Sequence, residues 1–169
     1  MVTVVLVTPK GQETGVSEKN AAHVGKGMLH RSFSVFVLNN ERQLLIQQRG
    51  KNKLLWPGYW SGTCCSHPRP KESIEKAAAR RLKEELGFTC SLRNVYTFRY
   101  TARYKNIGAE KELCTVFIGR CEGKITPNLQ EIEEIQWISL SKLGRDIQQH
   151  PQKYTPWFKM EVKKLWPKY

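Results

Sequence analysis

No apolar run in this chain approaches the roughly 18 residues needed to cross a bilayer, so neither a spanning helix nor stable membrane association is expected. The opening Val2–Val7 run has no basic leader and no small-residue cleavage site, and it reads as a strand instead of a signal peptide. At the other end, Trp166-Pro167-Lys168-Tyr169 carries no prenylation or peroxisomal address. Cysteine is too sparse for a disulfide framework: there are five, an odd number, and Cys64 and Cys65 are adjacent. Reduced thiols and a cytoplasmic location are the expectation. Cys90, Cys114 and Cys121 lie in apolar sequence and are expected to be ordinary core residues. Repeats, linkers and low-complexity segments are missing as well, so residues 1–169 read as a single domain.

Acidic residues are scarce, 15 against 28 Lys and Arg, which leaves a formal net charge of +13. An excess of that size suits a polyanionic ligand, a nucleic acid or an anionic surface. The basic residues cluster only locally, at Arg49–Lys53, Arg80–Lys83 and Lys159–Lys164. There is no basic tail, zinc-finger spacing or RNA-recognition signature, so a compact phosphate-bearing ligand fits the charge at least as well and no nucleic acid is expected. Nothing in the sequence fixes an oligomeric state.

Strand-like runs rich in Val, Ile, Phe, Tyr and Thr occur at Thr3–Thr8, Ser32–Leu38, Gln43–Gln48, Leu92–Ala102, Leu113–Arg120 and Glu134–Ile138. Asn39-Asn40-Glu41 supports a hairpin turn between the second and third. One helix is predicted over Lys71–Leu86, where Ile74, Ala77, Ala78, Arg81, Leu82 and Glu85 recur at helical spacing, Pro70 precedes and Gly87 follows. Ser139 or Ser141 would cap a shorter helix towards Gln149, and Thr155 would cap another with Pro156 at its first position. Gly25 and Gly27 argue for a loop between His23 and the strand at Ser32. The sum is an α/β (α+β) domain.

The chemistry concentrates in two short segments. Trp56 to Pro68 reads WPGYWSGTCCSHP and sets Cys65 and His67 two residues apart, and Glu110 and Glu112 repeat that spacing. In extended chain such pairs share a face. Two thiols stand in the dipeptide, and alternation selects Cys65, because it falls on the face of His67 and Cys64 does not. A thiol, an imidazole and two carboxylates in one pocket are the material of a metal-assisted acid/base site. The chain has four histidines, and three of them, His23, His30 and His67, lie near these segments. Three nitrogens and two oxygens would suit a divalent ion such as Mn²⁺ or Mg²⁺ while tolerating Zn²⁺.

Glu72 followed by Arg80-Arg81-Leu82-Lys83-Glu84-Glu85-Leu86-Gly87-Phe88 resembles the Nudix box, with Ser66 in place of its leading glycine and Arg81 in place of a glutamate. Loss of that carboxylate removes a metal ligand and adds a planar anion-binding fork. His23 and His30, the Trp56-Pro57-Gly58, Trp60 and Cys65–Pro68 segment, Tyr100, Glu110, Glu112 and Thr155-Pro156-Trp157 together resemble type I isopentenyl-diphosphate isomerase. The resemblance covers nearly the whole chain and implies a Nudix-like mixed β-sheet sandwiched between helices. It implies interconversion of isopentenyl and dimethylallyl diphosphate, a step in isoprenoid precursor supply.

By the same resemblance, His23, His30, His67, Glu110 and Glu112 would hold one divalent metal, and Glu85 would support a Mg²⁺ ion bound with the substrate diphosphate. Lys19, Arg49, Lys53 and Arg81 would hold the diphosphate, Trp157 would wall the isoprenoid carbons, and Cys65, Glu112 and Tyr100 would form the catalytic group. Gly62 departs from the asparagine expected after Trp60. Two rivals remain: a Nudix hydrolase of nucleoside diphosphate derivatives, against which Arg81 weighs, and a nucleic-acid-binding module.

Overall fold

Alternation along a single strand organises the molecule. Phe33, Val35 and Val37 of β3 (His30–Leu38) point into one core, and Ser32, Ser34 and Phe36 point to the opposite face. A computed structural model describes residues 2–167 of the chain. β3 lies inside a mixed sheet with β1 (Thr3–Val7), β2 (Glu13–Glu18), β4 (Gln43–Arg49), β5 (Trp60–Ser61) and β6 (Cys64–Ser66). β7 (Leu92–Tyr104), β8 (Gly108–Arg120) and β9 (Ile132–Ser139) complete it. β6 runs antiparallel along one edge of β3 and β8 parallel along the other, so Ser34 faces Cys65 while His30 faces Glu112.

Helices cover both faces. α2 (Ile74–Leu86) sets Ala77, Ala78, Leu82 and Leu86 against Phe33, Val35, Leu45 and Phe117. On the other side α4 (Pro156–Leu165) packs Trp157, Phe158 and Val162 with Phe36, Leu44, Val116 and Tyr100. α3 (Leu140–Gln149) follows β9, with Leu143 in that second core.

α2 begins at Ile74, not Lys71, because Ser73 caps it by accepting from the Lys76 amide; Gly87, with φ +78, closes it. Ser139 is the cap of α3. Thr155 occupies the cap position of α4, yet its hydroxyl turns away to Ser61. The segment before His30 is not all loop: Lys19–His23 form a five-residue helix, α1, capped by the Glu18 carboxylate. β2, β5 and β6 are short or irregular and lay outside the predicted strands.

Candidate active site

Five side chains from four separate segments converge on one point. His23 ends α1, His30 opens β3, His67 follows β6, and Glu110 and Glu112 share a face of β8. Their ligand-type atoms all lie within 4.8 Å of one another. Gly108 makes the approach of α1 to β8 possible, since a Cβ there would lie 2.1 Å from the His23 carbonyl oxygen. His23 Nε2 thereby comes within 2.9 Å of Glu110 Oε2.

The protons of this cluster can be assigned from its neighbours. His23 Nδ1 lies 2.6 Å from the Lys19 carbonyl and His30 Nδ1 2.8 Å from that of Met28. A carbonyl only accepts, so both Nδ1 atoms carry hydrogen and each Nε2 faces the cluster. Burial opposes the charge on His23, but its contact with Glu110 raises that ring above its ordinary value. His30 and His67 bring their Nε2 atoms to 3.1 Å, and both lie within 3.3 Å of Glu112 Oε1. Burial drives His67 down to about 3, keeping it neutral. Burial opposes the charge on Glu112, but contacts with His30 and His67 outweigh it and hold that carboxyl well below the usual range. Glu110 Oε2 is buried without a hydrogen bond. Converging lone pairs and an orphaned carboxylate oxygen fit a divalent cation, with backbone carbonyls orienting its imidazoles.

Beside the cluster lies a cavity of about 360 Å³ lined by Cys65, Tyr100, Glu112 and Trp157. Tyr100 donates to Glu112 Oε2 at 2.5 Å, leaving Oε1 to the histidines. Burial pushes the Cys65 thiol up to about 12; the Glu161 charge adds to this, and the Ser34 and Ser61 hydroxyls and the Trp157 indole oppose it. Cys64, one residue earlier, is fully buried in the α2 core. Alternation along β6 separates the two thiols as the sequence predicts. Trp157 is buried, meets the edge of Trp56 at 5.2 Å and is overlain by the Arg49 guanidinium, also at 5.2 Å.

The same cavity is also lined by four basic residues, Lys19, Arg49, Lys53 and Arg81. Arg49 braces the loop by donating to the carbonyls of Leu55 and Trp56. Burial and the neighbouring positive charge of Lys53 lower the Lys19 ammonium. The box carboxylates are taken by arginine: Arg80 grips both oxygens of Glu72, and Arg81 reaches Glu84, Glu85 and Glu131. Glu85 also accepts from Gln47, and it lines the cavity while standing outside the five-residue cluster. Gly62 packs on Phe36 with ordinary clearance, so no steric reason demands glycine there.

Residues 28–158 match the model of the NUDIX domain. The chain is 44% identical over 158 residues to the isopentenyl-diphosphate Delta-isomerase of Halorhodospira halophila, covering 92% of this chain and 90% of that one. It is 41% identical over 163 residues to isopentenyl-diphosphate Delta-isomerase 1 of Photorhabdus laumondii, covering 95% and 93%. The chain belongs to the isopentenyl-diphosphate Delta-isomerase family. Among solved structures it is similar to DR0079 of Deinococcus radiodurans, with a TM-score of 0.79 at 18% identity over 96% of this chain and 98% of that one. It is also similar to a MutT NUDIX hydrolase of Burkholderia pseudomallei, with a TM-score of 0.65 at 16% identity over 80% and 97%; these likenesses show the Nudix fold alone.

Three residues of this isomerase-family site escaped the sequence reading. Glu131 sits between Lys53 and Arg81, 2.8 Å from each, and those contacts hold it down to about 2 although burial acts the other way. Ser34 touches Cys65, and Glu161 lies one turn beyond Trp157 on α4. The spacing of four from Trp157 was the available signal for Glu161. Cys114 is a core residue as expected, and it also contacts Ser34 and Glu161. Cys90 and Cys121, expected in the core, are half-buried.

Proposed function

We propose that one domain spanning the chain interconverts isopentenyl and dimethylallyl diphosphate, adding a proton at the terminal alkene carbon and removing another from the carbon on the far side of the tertiary centre. The reading rests on one observation above all. A single cavity is lined by a half-buried thiol and a buried carboxylate together with four basic residues.

Cys65 and Glu112 stand on the strands flanking β3, opposite Ser34 and His30 respectively, with side chains on the same sheet face. A flat five-carbon skeleton between them would offer one face to each. Cys65, held as a thiol by burial, would serve one side; Glu112, bonded to Tyr100, would serve the other. The tertiary cation between the two proton transfers would be quenched by water, and Trp157 and Trp56 close the carbon end. The Trp157 face favours transient positive charge by about 0.5–2 kcal/mol.

His23, His30, His67, Glu110 and Glu112 would hold Mg²⁺, Mn²⁺ or Zn²⁺, and that ion would fix Glu112 in place and tune its acidity. Glu85 would support a Mg²⁺ ion travelling with the diphosphate. The diphosphate itself does not react; Lys19, Arg49, Lys53 and Arg81 would anchor it, and that remote binding positions the alkene. Hydrolysis is disfavoured because Arg81 stands where the box has a glutamate, which removes one metal-ligating carboxylate.

The direct test is to incubate the purified protein and Mg²⁺ with isopentenyl diphosphate and identify the product. Dimethylallyl diphosphate without released phosphate is expected; hydrolysis alone, or no turnover with metal supplied, would sink the reading.

Single alanine variants at Arg49, Lys53 and Arg81 are expected to raise KM and flatten its dependence on salt. Arg81→Lys should not fully restore function, because one ammonium cannot reproduce the planar fork that spans Glu84, Glu85 and Glu131. Wild-type steady-state kinetics in all three alanine variants would assign the positive rim another purpose.

A further inference from the structure

Two cysteines lie together at the open end of the β7–β8 hairpin, away from the candidate active site. The ladder pairs Leu92 with Gly119 and Arg93 with Ile118, so two residues further out its register carries Cys90 to Cys121. Both are half-buried, both pack against the core on the α2 side of the sheet, and both line one surface cavity with Arg93 and Arg120. Glu110 and Glu112 sit near the opposite end of β8. Neither sulfur belongs to the metal-ligand cluster or lines the cavity of Cys65.

A glycine lets the two approach. A Cβ on Gly119 would stand 2.7 Å from Cys90 Sγ and 2.9 Å from the Ser91 carbonyl oxygen, closer than real side chains come. The chain leading into β7 therefore lies across Gly119 and sets the Cys90 sulfur on the residue two before Cys121. Burial raises the Cys90 thiol and the neighbouring Cys121 adds to this, while the Arg120 amide acts against it. The Cys121 sulfur accepts from the Gly123 amide at 3.3 Å. Residues opposite one another on antiparallel strands have Cβ atoms about 4.5–5.5 Å apart, and a disulfide needs about 3.5–4.5 Å. Both cysteines stand just outside the regular strands, where a shift of about 1 Å meets little resistance.

We propose that Cys90 and Cys121 are a reversible modification site, closing to a disulfide when the protein meets a peroxide. Cys121, with an amide on its sulfur and Cys90 held as a thiol, reacts first. Its sulfur attacks one oxygen of hydrogen peroxide; the S–O bond forms, the O–O bond breaks, and the departing hydroxide leaves with the thiol proton as water. The Cys90 sulfur then displaces the hydroxyl of that sulfenic acid; the S–S bond forms, the S–O bond breaks, and the hydroxyl leaves with the Cys90 proton as a second water. Two thiols lose two electrons and two hydrogens, and the peroxide takes up both. A thiol reductant reverses the bridge by exchange.

The test treats the whole chain with hydrogen peroxide, alkylates the remaining thiols and digests with trypsin without reductant. Cys90 falls in the peptide of residues 84–93 and Cys121 in that of residues 121–124, while Cys64, Cys65 and Cys114 fall in others. The expected product joins residues 84–93 to residues 121–124, is two hydrogens lighter than the two peptides, and separates on adding dithiothreitol. Tm of the oxidised protein should rise by about 5 °C or more, because the bridge closes the hairpin at its open end. Reductant should remove that gain.

Single variants divide the two steps. Cys90→Ser should leave Cys121 as a sulfenic acid that dimedone traps, and Cys121→Ser should leave Cys90 a free thiol; neither should gain Tm with peroxide. Survival of both thiols in peroxide-treated native protein would overturn the proposal, as would a bridge between two chains or one made to Cys65 in place of this pair. These readouts do not use turnover, so an inactive enzyme would overturn the isomerase reading and leave this one standing.

Discussion

Cys65→Ala is expected to lower turnover by roughly 10²-fold or more, while Cys64→Ala keeps most of it. Composition treats these adjacent thiols alike; their surroundings do not. Cys65 lines the cavity with Glu112 and Trp157 and touches the hydroxyls of Ser34 and Ser61. Cys64 is at 0% exposure among Ala77, Ala78 and Leu82, on the other side of the sheet. Its loss leaves a small void, costing about 1 kcal/mol of stability at most a few times over, with no effect on proton transfer. Metal content should be unchanged in both variants, since neither sulfur belongs to the cluster. Proton exchange into substrate in D₂O should fail in the Cys65 variant at the carbon that thiol serves. Inactivity of the Cys64 variant in place of the Cys65 one would mean that the thiol at work lies outside the cavity.

The second large effect is expected at Glu112, which carries two tasks on two oxygens. Oε1 is shared by His30 and His67, and Oε2 takes the Tyr100 hydroxyl. Glu112→Gln replaces one acceptor with a donor and removes the charge, so it should lose metal and turnover together, the latter by roughly 10³-fold or more. Tyr100→Phe removes only the contact to Oε2. It should retain metal, measured by elemental analysis, while turnover drops by roughly 10-fold or more. Full metal content in Glu112→Gln, or loss of metal in Tyr100→Phe, would show that the two oxygens are not divided in this way.

Long, periodic elements were legible in the sequence and short ones were not. The core strands at Ser32–Leu38 and Gln43–Gln48 and the 13-residue helix α2 declare themselves through apolar spacing and a terminal glycine. β6 has three residues and α1 five, too few for a period, and both exist because neighbours hold them. Yet these two carry Cys65, Lys19 and His23, and His67 adjoins β6. The site was found through pairs with a spacing of two and through family resemblance. Glu131 and Glu161 escaped because a lone glutamate in a charged sequence says nothing of burial. Arg81 was recognised as a replacement for a carboxylate, but its grip on three glutamates is a property of packing.

The histidine and glutamate cluster has a consequence for the chain as a polymer. His30 and His67 are separated by 37 residues and His67 and Glu112 by 45, and those stretches include β4, α2 and all of β7. A cation gripping all five side chains would close these loops at one knot, as a set of crosslinks does, and would restrict the unfolded ensemble wherever ligands stay bound. Each doubling of loop length adds only about 0.6 kcal/mol to such closure. The long spans and the short one from His23 to His30 therefore contribute on comparable scales. Chelation would release the outer edge, where α1 meets β8, before the α2 core, because that edge has little apolar packing of its own. The ion that prepares the acid would then also be the last stitch of the fold.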